Sequence, residues 1–289
     1  MNFELSRRRF AAGLAVGTGL CLVPAQIARA AVAGTEPSSE DARLMALFRE
    51  VAKREDAIDP WGLLYRGGAH NLAGIRQTFT DVPLRERRTV VKWALAQIGK
   101  IDRTRLSAER QISYDSFLRD KREAAMWLQP DMIALVAVRP IVHFGGLHVE
   151  LPSLMAKGGA LGWDEEADYR RNLDLMRCFP QVIANAIARF RQGLDSGVVE
   201  TAMTTRNMIA QIDAILAQPL DDSPFTSAVR DFPDAVPADH RAAIKQRFYA
   251  VTEKELYPAY RQLRQFLNDE YLPAARDQVG ISAMKGGAA

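Results

Sequence analysis

The sequence predicts an all-α protein: a mostly helical, multi-helix domain with an irregular glycine-rich loop or short strands near residues 131–162. Three observations carry that expectation. Apolar residues recur at helical spacing over most of the chain beyond residue 40. Capping residues, glycines and prolines punctuate those runs where helices start and stop. No repeat period is visible, and no glycine-rich phosphate loop follows a strand pattern. At 289 residues, 48% hydrophobic and 25% charged, the chain is long enough to bury about three quarters of its unfolded surface without staples.

The first thirty residues read as an export signal of the twin-arginine type. Arg7, Arg8 and Arg9 stand before Phe10, an apolar run of small residues extends from Ala11 to Val23, and Ala28-Arg29-Ala30 has the small-x-small form of a cleavage site. The run is too short to span a bilayer, which takes about 20 residues. Thr18 lacks the aliphatic side chain expected three residues before a lipidated cysteine, so Cys21 is not read as an anchor. Removing residues 1–30 takes away four arginines and Glu4 and leaves 34 basic and 34 acidic side chains. The net charge of +3 therefore belongs to the signal, and no electrostatic argument for a nucleic-acid partner remains. Cys178 is then the one cysteine, without a disulfide partner and flanked by apolar residues, and it is expected to be a small buried hydrophobe. Residues 31–39 are small and polar, a linker into a helical domain over 40–289.

Within that domain Ser39 suits a helix cap, and Leu44, Leu47, Phe48 and Val51 follow at helical spacing. The stretch DPWGLLYRGGAHNLAG, with a proline and four glycines, is expected to be irregular. Pro83 suits a first turn, ahead of a face of Leu84, Val91, Leu95 and Ile98. Ser107 is placed to cap a helix with Tyr114, Phe117, Leu118, Ala125 and Leu128 on one stripe, stopping before Pro130. Periodicity fades over 131–162. It resumes with Tyr169, Leu173 and Met176, then Ile183, Ile187, Phe190 and Leu194, ending near Gly193 and Gly197. Met208, Ile212 and Leu216 line another helix, and a proline-punctuated connector follows. From Asp239, Ile244, Phe248, Val251, Tyr260, Leu263 and Leu267 describe one long helix that Pro258 must kink or split.

Chemistry-bearing clusters are few. None of His70, His143, His148 and His240 belongs to a His-Glu-x-x-His zinc helix. The best constellation is HFGGLHVE. On an extended segment His148 and Glu150 would project to one side, and a turn at Gly145-Gly146 would bring His143 back to them. The spacing matches no metal motif, so His143, Gly145, Gly146, His148 and Glu150 are read as a substrate-groove loop, with no catalytic residue and no metal ligand assigned. A zinc hydrolase built on His143, His148 and Glu150 ranks last among the readings. Asp164, Glu165, Glu166 and Asp168 open a helix, where the helix dipole favours acids.

Four stretches together carry a resemblance: YDSFLRD, GGLHVELPSL, DYRRNLDLMRCFPQVIANAIARFRQGLDSGVVE and ELYPAYRQLRQFLNDEYLPAARDQVGISAMKGG. In this order they resemble the N-terminal half of the bacterial family called domain of unknown function 885, whose members resemble helical zinc metallopeptidases of the dipeptidase and carboxypeptidase type. The resemblance covers roughly residues 41–287 and is weakest around DPWGLLYRGG. It implies an exported, periplasmic protein. It also implies a second half past Gly286-Gly287 that holds the zinc-binding helix, so zinc is expected only in a full-length relative and Ala289 reads as an interruption. The chain then resembles the half that shapes a substrate groove for peptides. Its expected partners are a peptide ligand and either the missing C-terminal half or a second copy, with no nucleic acid and no membrane once the signal is cleaved. The alternative is a periplasmic ligand-binding or scaffold protein without enzymatic activity.

Overall fold

The computed structural model describes residues 39–287, so the expected signal and all of the linker but Ser39 lie outside the described residues. The described chain is helical from its first residue, and the one bridge outside helices is an isolated parallel pairing of Thr201 with Arg276.

A three-helix unit comes first. α1 (Ser39–Ile58), α4 (Asp81–Ile98) and α5 (Ala108–Trp127) enclose Leu44, Leu47, Val51, Ala94, Ile98, Ile101 and Leu106. The acids that open α1 are buried and serve backbone groups far along the chain: Glu40 accepts from the Asp102 amide at 3.1 Å and Asp41 from the Ser107 amide at 3.0 Å. Ser107 does occupy the cap position of α5, but its hydroxyl makes no capping bond. α5 lies on the outside of the unit. Tyr114, Phe117 and Leu118 pack inward as expected, no α5 residue is fully buried, and Ile112, Met126 and Trp127 stay exposed.

The stretch expected to be irregular between α1 and α4 holds two short helices instead, α2 (Pro60–Tyr65) and α3 (Leu72–Arg76). Local capping overrides the glycines. Asp59 accepts from the Gly62 amide and Asn71 from the Gly74 amide, each at 2.9 Å, and Pro60 supplies a first helical residue with no amide to satisfy. The turn into α4 is held from outside: Phe79 has φ of 66°, a conformation that L side chains rarely adopt, and the buried Arg189 donates to its carbonyl at 2.6 Å.

The 131–162 region also departs from expectation. It contains α6 (Pro130–Val136) and α7 (Leu147–Met155) and no strand. Both helices are too short for periodicity to reveal, and each carries a proline that reads as a breaker.

The main core is built by α8 (Glu166–Met176), α9 (Phe179–Ser196), α10 (Ala202–Leu216), a 3-10 segment over Pro224–Val229, and a C-terminal rod. At the head of α8, where acids are expected for the helix dipole, Asp168 also caps the chain, accepting from the amides of Asp164 and Glu165 at 2.9 and 3.0 Å. Cys178 is fully buried between α8 and α9, and burial raises its thiol pKa. α9 ends on Gly197 at φ of 76°, a left-handed cap.

The rod runs as α11 (Ala238–Val251), a π turn (Thr252–Leu256), α12 (Tyr257–Phe266) and a second π turn (Leu267–Tyr271). Pro258 and Pro273 each follow a π turn by two residues. A proline lacks the amide for the carbonyl four residues back and would collide with it. The preceding turn takes the π form, and the helical run continues across Pro258 with buried residues on both sides of it. All six apolar residues expected on its face are buried.

The C-terminal segment is tied back through Glu200. Its carboxylate pairs with Arg139 at 2.7 Å, its amide donates to the Tyr271 hydroxyl at 2.8 Å, and its carbonyl accepts from the Arg276 amide at 3.1 Å. Met284 then closes a small cluster with Leu135, Val138 and Val198. Glu200→Ala leaves the largely buried Arg139 without its counter-charge and is expected to cost about 2–3 kcal/mol in urea denaturation. The double variant Arg139→Met/Glu200→Leu is expected to recover part of that loss, because no charge is stranded.

Candidate functional site

The loop over 139–146 and the first turn of α7 form the site. Here the geometry differs from the extended segment assumed from sequence. His148 and Glu150 lie on a helix, two residues apart, and therefore point to different sides. His148 is 1% exposed, whereas Glu150 is at the surface.

His148 is locked on two sides. Its Nε2 lies 2.8 Å from Oε1 of Gln211 on α10, and the Gln211 amide nitrogen donates to the His143 carbonyl at 2.9 Å. Because a carbonyl can only accept, the Gln211 amide has one orientation, and its oxygen requires the proton of His148 on Nε2. Nδ1 of His148 is then a bare acceptor, and among the described residues neither it nor the buried Nδ1 of His143 has a partner. On the backbone, Pro152 deprives the His148 carbonyl of its helical donor, and the Tyr260 hydroxyl donates to that carbonyl instead, at 3.0 Å. Burial is the largest influence on the His148 ring and lowers its pKa, against the Gln211 bond that raises it; nearby His143 lowers it further.

Glycine is needed at one position of the pair and not at the other. A Cβ at Gly146 would stand 2.8 Å from His148 Nδ1 and 2.9 Å from Ile141 Cβ. A Cβ at Gly145 would meet only Glu150 Oε1, at 3.5 Å. Beyond Gly145 the loop presents Phe144, which is 88% exposed and rests on the His143 ring with centroids 3.9 Å apart. Glu150 also acts on Tyr65 at the end of α2, whose phenol pKa is raised first by burial and then by this carboxylate.

The residues expected in the site thus fall into two layers. Gly146 and His148 form a buried base, His143 bridges, and Gly145 and Glu150 face outward with Phe144 and Tyr65. Zinc needs at least three converging ligands, and Glu150 does not join the two histidines. Among the described residues no group of three or more His, Cys, Asp or Glu side chains is placed to hold a metal ion. Phe144, Tyr65 and Gln211 escape sequence reasoning. An aromatic between a histidine and two glycines is a signal that could have marked Phe144; nothing marks Gln211, which is 63 residues from its partner.

A family model described as "Bacterial protein of unknown function (DUF885)" matches residues 66–289. The fold is similar to "The crystal structure of the putative lipoprotein from Colwellia psychrerythraea", with a TM-score of 0.69 and 14% sequence identity. That match covers 88% of this chain and 45% of the other, so the chain spans less than half the length of that protein. At this identity the likeness is one of fold. No curated protein matches the chain. Among the described residues no helix is long and apolar enough to cross a membrane.

Two expectations follow from the packing. Gly146→Ala is expected to cost about 1–3 kcal/mol by overpacking, while Gly145→Ala stays within about 0.5 kcal/mol, both read by chemical denaturation. The second concerns pH. The unfolded chain protonates His148 at its ordinary value of 6.5, while the folded chain resists until lower pH. Stability is therefore full above that value and declines as pH falls below it, by at most about 1.4 kcal/mol per pH unit for this group. His148→Gln is expected to make the decline between about pH 6.5 and 5 shallower, the remainder coming from His70, whose pKa burial also lowers. Equal slopes in the two proteins would remove His148 as the cause.

Proposed function

The chain belongs to the bacterial DUF885 family, and from that premise we propose that it forms the substrate-groove part of a zinc-metallopeptidase-like protein acting on peptides, without hydrolysing them by itself. The observation that carries this reading is Phe144. An aromatic 88% exposed on a loop, above a base locked by His148, Gln211 and Tyr260, is a rigid apolar contact for an extended ligand. Glu150, next to Gly145, and Tyr65, within electrostatic reach of Glu150, supply polar contacts for a peptide backbone. The catalytic metal would come from a second lobe. The similar crystal structure has more than half its chain outside the match, and this chain exposes Met203, Val279 and Ile281 around the Thr201–Arg276 bridge, where such a lobe could pack. Export to the periplasm through the Ser-Arg-Arg-x-Phe signal belongs to the same proposal, in line with the description of that neighbour as a "putative lipoprotein". A second reading, a periplasmic binding or scaffold protein without catalysis, is favoured by a cavity of about 660 Å³ whose lining includes none of the loop residues 139–146.

The test combines the purified chain with the separately expressed C-terminal half of a full-length relative and follows cleavage of a fluorogenic peptide library. The chain alone is expected to be inactive and the mixture active. Phe144→Ala is expected to lower the activity of the mixture about ten-fold, with an unchanged melting temperature because the ring is exposed. Hydrolysis by the chain alone would refute the division of labour. A mixture that binds peptide without cleaving it would favour the second reading.

A further inference from the structure

The cavity just mentioned lies between the α2–α3 connection, the 160–162 segment and one face of α8. Leu64, Leu72 and Leu161 make it apolar on one side. On the other side Asp168 and Asn172 are already engaged: Asp168 caps α8 and pairs with Arg171, and Asn172 donates to the Gly162 carbonyl at 3.0 Å. Those bonds fix the wall and do not reach into the space.

Three polar groups remain available. Arg171 has 54% of its side chain exposed, and its one ion-pair partner among the described residues is Asp168, which engages only part of the guanidinium fork. Asp174 is 49% exposed and held only loosely by Arg177 at 3.3 Å. His70 has an Nδ1 that is buried and, among the described residues, without a partner; burial keeps the ring from protonating readily, against a bond to the Arg171 backbone that favours protonation. Arg171 and Asp174 are three residues apart on α8 and so stand side by side on one face, a cation next to an anion. Gly67, with φ of 74°, turns the chain at the rim, and a Cβ there would meet nothing within 4 Å, so the mouth stays open.

We propose that this cavity binds a small zwitterion with an apolar side chain, a free amino acid or dipeptide. Its carboxylate lies on Arg171, its ammonium on Asp174, its side chain against the three leucines, and His70 Nδ1 completes the polar contacts. The volume is within the range of small-molecule sites. The inference does not depend on the hydrolysis reading, because its test measures binding alone.

Isothermal titration calorimetry on the purified chain would use L-leucyl-L-leucine, its N-acetylated form without the ammonium, and its amide without the carboxylate. The free dipeptide is expected to bind about ten-fold or more tighter than either blocked form, since each lost charged contact leaves a partner unpaired. Asp174→Asn and Arg171→Gln are each expected to weaken binding to a similar degree, and Ala69→Trp, which adds bulk at the exposed rim, to abolish it. Arg171 also supports the α8 cap, so its variant is read only if the melting temperature holds; Asp174→Asn and Ala69→Trp carry the test otherwise. No binding of the free dipeptide, equal binding of the blocked forms, or binding that survives Ala69→Trp would overturn the proposal.

Discussion

Tyr260 and Tyr271 sit on the buried stripe of the C-terminal rod, each less than 2% exposed, and each hydroxyl bonds to backbone outside the rod. Tyr260 holds the His148 carbonyl that Pro152 leaves open, and Tyr271 accepts from the Glu200 amide. A buried tyrosine hydroxyl without a partner would be costly, so each bond is as necessary to the rod as to what it holds. The loop that carries Phe144 and the segment that returns through Arg276 are thus positioned by the same row of aromatics. The main core grows around this row, with Phe190 against Tyr271 at a centroid distance of 4.6 Å and Phe225 against Tyr260 at 5.8 Å.

That arrangement depends on keeping the stripe in phase. A kink at Pro258 would rotate Tyr260 away from α7 and carry everything beyond it out of register with α9. The π turn before each proline takes up the missing hydrogen bond locally, and the buried face continues from Ile244 through Tyr271. The N-terminal unit is built to a looser standard. α5 covers its neighbours with partly buried side chains, and the two buried acids of α1 do much of the work of joining its loops.

Long amphipathic helices were legible in the sequence because their burial repeats over several turns. The rod, α9 and α10 fall in this class, as does the isolated buried Cys178. Short helices were not. α2, α3, α6 and α7 offer too few turns for a period, and their signals, Asp59-Pro60 and Asn71 among them, are capping signals that glycine-rich surroundings obscure. The same cause misplaced the site. His148 and Glu150 share a side only on a strand, and the helix that separates them is stabilised by Tyr260, which lies 112 residues away. Gln211 is invisible for the same reason. Asp168 was legible as an acid in a first helical turn, but not as the side chain that caps the amides of Asp164 and Glu165.

Cys178 offers one more consequence. Its Sγ lies against the carbonyls of Asp174 and Leu72, so it is sealed by the chain reversal between α8 and α9 on one side and by α3 on the other. In a chain beginning at Ala31 it would be the sole thiol. A disulfide reagent in excess could then reach it only when α3 swings off α9 or the reversal opens, and the rate of modification would count those openings. The residue that looks least eventful in the structure would then report how often this buried seam opens.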